Sequence, residues 1–242
     1  MAIDWGLSSC CNTGQIVFLG LFGGYLVLNL LLWRVPILRP MKLIAVFAHE
    51  MSHALACWMS GGRVKEIQVF DNEGGVTKYT GGVQSLIIPA GYLGCAFWGM
   101  VFVVLSADVI AATVSACIFI FALLFSLIFK PSCTSIGLNL GFAVLTLGCV
   151  LLQWLIPGGL FIGNVPFIGL VTLYYGVFIG SFSIYDIYDD LITRTVEGSD
   201  AHACYQLYPC CLPRCVGVLW AIIALAFMGV GVYLALVWTG AA

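Results

Sequence analysis

The chain has 242 residues, 62% hydrophobic and 8% charged, with nine basic and eleven acidic side chains and a net charge of −2. Soluble domains carry roughly a quarter charged residues, so this chain has too little polar surface to cover a water-soluble globule and has the composition of an integral membrane protein. It has no basic block suited to a phosphate backbone, which argues against nucleic acid as a partner.

The N-terminal stretch MAIDWGLSSCCNTG lacks the basic region and the small-residue cleavage site of a secretory signal, so the first apolar run is expected to remain as a span. Apolar runs long enough to cross the hydrocarbon as helices fall at about 15–33, 41–60, 84–105, 109–129, 138–156, 165–185 and 216–238. The expected fold is therefore an all-α polytopic membrane protein of about seven transmembrane helices, with residues 1–242 forming one polytopic domain.

Two segments do not read as spans. Residues 61–82, GGRVKEIQVFDNEGGVTKYTGG, hold two β-branched stretches, Val64–Phe70 and Val76–Thr80, on either side of DNEGG, which predicts a β-hairpin. Residues 186–215 form a polar, cysteine-rich loop between the sixth and seventh spans. Seven crossings place the hairpin, this loop and the N-terminus on one face. That face then carries Arg63, Lys65, Lys78, Lys130, Arg194 and Arg214, against Arg34, Arg39 and Lys42 on the other, an excess that predicts a cytosolic location for it.

The second run contains HEMSH, His49 to His53. In a helix, His49 and His53 stand one turn apart on one face, so both imidazoles can reach one tetrahedral Zn²⁺, while Glu50 can approach a water on that metal and act as general base. A carboxylate in the middle of a membrane helix costs about 3 kcal/mol, which favours a functional reason for its presence. A catalytic zinc needs a third protein ligand. Asp186, Asp189 and Asp190 of SIYDIYDDL share one helical face at the end of the sixth span, and Asp186, the deepest, is the first choice for that ligand.

FAHEMSHALACWMSGGRVKEIQV, followed by GGV, PAGYLG, SIYDIYDDL and GSDA, resembles the site-2 protease family of intramembrane zinc metalloproteases, in its B-like branch. The resemblance runs from about residue 41 to the last span. It implies a zinc held by His49 and His53, Glu50 as catalytic base, and cleavage of membrane-embedded protein substrates. The family also carries a Gly-x-x-(Asn, Ser or Gly) motif in the next core helix, which Gly91 and Gly94 match. Better-known members draw the third ligand from an Asp-Gly after an Asn-Pro stretch. Here GNVPFIG supplies Asn164 and Pro166 but no Asp-Gly, so Asp200 of GSDA joins the candidates, with a helix cap alongside Ser199 as its other reading.

The hairpin offers an edge strand on which an unwound substrate could pair. Cys204, Cys210, Cys211 and Cys215 match no common zinc-ribbon spacing and read first as unremarkable cysteines, with acylation at the membrane surface, which Cys10 and Cys11 would fit similarly, and a structural zinc site as the other readings. Two rival functions share the same residues: an inactive relative that binds or chaperones membrane proteins, and a transporter with an ion path through HEMSH and Asp186. The spans show no inverted repeat, which counts against the transporter.

Overall fold

A computed structural model describes residues 5–7, 10–162, 165–189 and 198–241. The chain forms α1 (Thr13–Leu32), a single 3₁₀ turn (Pro36–Leu38), α2 (Arg39–Met59), β1 (Arg63–Val69), β2 (Gly75–Thr80), α3 (Gln84–Leu105), α4 (Val109–Ser126) and α5 (Cys133–Leu155). A two-residue ladder of β3 (Phe161–Ile162) and β4 (Val165–Pro166) leads into α6 (Phe167–Tyr188), followed by the short α7 (Asp200–Leu207) and the long α8 (Pro213–Ala241). The seven long helices coincide with the seven apolar runs. Six of them, α1, α3, α4, α5, α6 and α8, are long and apolar enough to cross a membrane. The seventh, α2, is diluted by Arg39, Lys42, His49, Glu50 and His53.

The centre of the bundle is an antiparallel pair, α3 and α6, packed backbone to backbone through glycines. A Cβ on Gly99 would lie 2.4 Å from the Gly180 Cα, and one on Gly176 would lie 2.7 Å from the Val103 nitrogen. In lipid, where apolar side chains gain nothing from leaving the solvent, such close approach is what holds helices together. Capping follows the sequence: Asn12 and Gln15 form a reciprocal box at α1, Asp108 accepts from Ile110 and Ala111 at α4, and Ser132 caps α5.

The α3/α6 pair gives the bundle two ends, a terminal end and a hairpin end. At the terminal end the start of α1 meets the end of α8: Gln15 Nε2 donates to the Leu236 carbonyl at 2.9 Å, Asn12 Nδ2 to Thr239 at 3.4 Å, and Tyr233 Oη to the Trp5 carbonyl at 2.5 Å. Two chain ends on one side require an even number of crossings. At the hairpin end, Trp33, just after α1, stacks on Tyr185 and donates to Asp189 of the α6 terminus, and the Lys42 ammonium lies over its ring. The other end of α2 meets the start of α3, where Val83 N–H donates to Ser60 Oγ at 3.1 Å. Both ends of α2 thus belong to the hairpin half of the bundle. These contacts set the N-terminus at the end of the bundle opposite the hairpin, whereas seven crossings would put the two on one face. Cys10 and Cys11, bonded to each other, accordingly lie at the terminal end, opposite Cys204, Cys210, Cys211 and Cys215.

The hairpin is present as expected, antiparallel with Gln68 opposite Val76 and Ile67 opposite Thr77, and with a register shift between Val64 and Glu66. It is more than an appendage at the C-terminal end of α2, since it doubles back along the helix. At its tip the Arg39 guanidinium bonds the Asp71 carbonyl, Lys42 pairs with Glu73 at 3.2 Å, and Thr134 Oγ1 donates to Asp71 at 2.7 Å. The outer edge of β1 is covered by the α4–α5 connection. Ile67 N–H donates to the Phe129 carbonyl at 2.9 Å, Val69 N–H to Ser135 Oγ at 2.7 Å, and Ser132 Oγ to the Val69 carbonyl at 2.5 Å. Because Ile67 and Val69 turn their backbone groups outward, their cross-strand partners Thr77 and Gly75 turn theirs outward on the opposite edge, that of β2.

Candidate metal centre

α2 presents His49 and His53 on one face toward α3, and α7 brings Asp200 to the same point. Ser199 caps α7, its Oγ accepting from His202 N–H, so Asp200 sits at the first helical position with its carboxylate directed at the two rings. Asp200 Oδ2 lies 3.0 Å from His49 Nε2 and 3.2 Å from His53 Nε2, and the two ring nitrogens are 3.1 Å apart. Tetrahedral zinc with bonds of about 2.0–2.1 Å has ligand atoms about 3.3 Å from one another, which matches the size of this triangle. Among the described residues this is the group of three metal-binding side chains whose ligand atoms converge, all within 4.8 Å of one another.

The surroundings also fit a cation. His53 Nδ1–H donates to the Ile87 carbonyl at 2.7 Å, which fixes the tautomer and leaves the Nε2 lone pair pointing into the triangle. Asp200 Oδ2 is buried and has no hydrogen bond among the described residues, although both ring nitrogens are within 3.2 Å. Three potential ligand atoms thus meet at one point, all within 4.8 Å of one another.

The fit depends on glycine at two places. A Cβ on Gly91 would lie 2.4 Å from His49 Nε2 and 2.6 Å from His53 Nε2; one on Gly94 would lie 2.3 Å from the Ser52 side chain. The Gly-x-x-Gly motif thus allows α3 to lie directly against the HEMSH face. Glu50, buried next to His49, is held by β2: Thr77 Oγ1 is 2.7 Å from Glu50 Oε2, and a Cβ on Gly75 would lie 2.4 Å from Oε1.

A cavity of about 490 Å³ opens beside these groups, lined among others by Glu50, Thr77, Tyr92, Phe182 and Asp200. Asp186 and Asp189 also line it, from α6. Asp186 is therefore in the site but outside the convergent triangle, where Asp200 stands. Asp189 accepts from Trp33 Nε1 at 3.3 Å and faces Arg34 at 3.6 Å, and Asp190 lies outside the described residues, as does Asn164. Cys204, Cys210, Cys211 and Cys215 do not join the metal-binding group. Sequence reasoning missed Thr77, Gly75 and Ile87. Their only signal was membership of the hairpin or the following helix, because their roles arise from packing against α2.

The family model described as Peptidase M50B-like matches residues 22–231, nearly the whole helical bundle and every residue of the centre. No curated protein and no solved structure matches the chain. With its HExxH helix, membrane-spanning bundle and convergent His–His–Asp triangle, the chain belongs to the Peptidase M50B-like family.

Proposed function

We propose that the protein is an intramembrane zinc metalloprotease that hydrolyses peptide bonds of membrane-embedded protein substrates. The observation that carries the reading is the convergence of His49, His53 and Asp200 on one point with Glu50 beside them. His49, His53 and Asp200 would hold Zn²⁺, with Asp200 taking the role for which Asp186 was the first choice. The bound ion supplies a lowered water pKa and polarisation of the scissile carbonyl. Glu50 takes the proton of the attacking water and delivers it to the leaving amide nitrogen. The cavity bordered by α6 gives water access to a site built among apolar helices.

A helical substrate must unwind before its amides can be attacked. The free edge of β2 supports strand addition there, since Gly75 and Thr77 turn unpaired backbone groups away from β1 among the described residues. β1 does not suit that role, because its edge is already bonded to α5 and the preceding connection. The inactive-relative reading rested on the missing Asp-Gly, and the carboxylate that α7 brings to the histidines supports the protease reading against it.

The distribution of basic residues supports an orientation. Arg34, Arg39, Lys42, Arg63, Lys65, Lys78, Lys130 and Arg214 belong to the hairpin end, and Arg194 falls in the chain between α6 and α7. The connections at the terminal end contain no Lys or Arg. A bias this one-sided favours a cytosolic hairpin end and catalytic cavity, with both termini on the opposite side. The deciding experiment is metal analysis of purified wild type, His53→Ala and Glu50→Gln, alongside cleavage of a reconstituted single-span substrate. One zinc in wild type and in Glu50→Gln, none in His53→Ala, and cleavage by wild type only is the expected result; cleavage surviving Glu50→Gln would refute the proposal.

A further inference from the structure

The hairpin strand that flanks the cavity also grips the general base. Thr77 Oγ1 lies 2.7 Å from Glu50 Oε2 and 2.9 Å from the Glu50 carbonyl oxygen. A hydroxyl has one proton, and the closer, charged carboxylate is the stronger acceptor. On the other side of the same carboxylate, the absent side chain of Gly75 leaves the space that Oε1, Cδ and Cγ occupy, all within 2.8 Å of where a Cβ would stand. β2 therefore contacts Glu50 at alternate residues, Gly75 by shape and Thr77 by hydrogen bond. Thr77 and Gly75 are also the two residues whose backbone groups turn outward on the free edge.

We infer that Thr77 is a positioning residue for Glu50, and that β2 couples the backbone edge facing the cavity to the orientation of the base. This rests on the protease reading above. Glutamate has three rotatable bonds and Glu50 has no other side-chain hydrogen-bond partner among the described residues, so without Thr77 no hydrogen bond holds its carboxylate in the productive geometry. A displacement of about 1 Å at a reacting group can cost on the order of 100-fold in rate, and loss of an orienting partner typically costs about 10- to 100-fold. The β2 backbone is unchanged by a Thr-to-Val substitution, so substrate binding is unaffected while turnover falls.

The test uses the full chain in lipid nanodiscs, comparing wild type, Thr77→Val, Thr77→Ser, Glu50→Gln and the Thr77→Val/Glu50→Gln double variant. Thr77→Val should lower kcat about 10-fold with KM and zinc content unchanged. Thr77→Ser should restore kcat, and the double variant should be no worse than Glu50→Gln alone. Independently of activity, the Glu50 carboxylate stretch, isolated as the infrared difference between wild type and Glu50→Gln, should shift in Thr77→Val and return in Thr77→Ser. An unmoved band, full kcat in Thr77→Val, or failure of serine to rescue overturns the inference. Absence of cleavage by wild type, by contrast, overturns the protease reading itself, and the infrared band then still decides whether Thr77 holds the carboxylate.

Discussion

Adding one methyl group at Gly91 gives the sharpest test of the centre's geometry. In Gly91→Ala the new Cβ would stand 2.4 Å from His49 Nε2, 2.5 Å from His49 Cε1 and 2.6 Å from His53 Nε2. Ordinary non-bonded contacts begin at about 3.5 Å, so one or both imidazoles must retreat by about 1 Å. Metal constellations tolerate about 0.5 Å. Overpacking of this kind costs about 1–3 kcal/mol, and at about 1.4 kcal/mol per factor of ten, zinc should bind about 5- to 140-fold more weakly. The assay is competitive chelation of the purified protein with metal quantitation, run beside Gly94→Ala. That second variant presses on Ser52 across the same helix pair, with a predicted 2.3 Å contact, and leaves both histidines untouched. Both variants should lose thermal stability, and only Gly91→Ala should lose zinc affinity. Wild-type zinc affinity in Gly91→Ala, or equal losses in the two variants, would refute the argument that Gly91 provides room for the ligands.

Three further outcomes follow from the same contacts. Asp200→Ala should abolish stoichiometric zinc binding, whereas Asp186→Asn should retain it; the reverse pattern in metal analysis would return the third ligand to α6. Gly99→Ala, which drives a carbon to 2.4 Å from the Gly180 backbone, should lower stability by about 1–3 kcal/mol in denaturant or thermal unfolding. In sealed vesicles with the cytosolic face outward, epitope tags on both termini should survive added trypsin while the chain is clipped at basic residues of the hairpin end. Loss of one tag alone would contradict an even number of crossings, and loss of both would contradict the proposed orientation.

The architecture was largely readable because the signals that encode it are local. A run of about 20 apolar residues must satisfy its backbone internally in lipid, so every long helix announced itself, and DNEGG between β-branched stretches announced the hairpin. The HEMSH pair was readable for the same reason, since a helix brings residues four apart to one face whatever surrounds it. The end of the bundle at which each terminus lies was not readable in this way. Residues 41–60 have the length of a span, but whether α2 crosses depends on where its two ends are held, and those anchors are Trp33 with Asp189 on one side and Ser60 with Val83 on the other.

Within the site, the sequence by itself determined the donor types, the helical pairing of His49 with His53, and a carboxylate beside them. It left the third ligand open among Asp186, Asp189, Asp190 and Asp200, because a carboxylate's distance from a metal is set by the packing of its helix. Only the tertiary structure decided that α7 brings Asp200 to the two histidines, that Gly91 and Gly94 admit α3 against them, and that Thr77 of β2, not β1, reaches Glu50. Helical and strand periods are properties of neighbouring residues and are written into the chain locally. A triangle with sides of 3.0–3.2 Å drawn from two elements 150 residues apart in sequence exists only once the helices between them have packed.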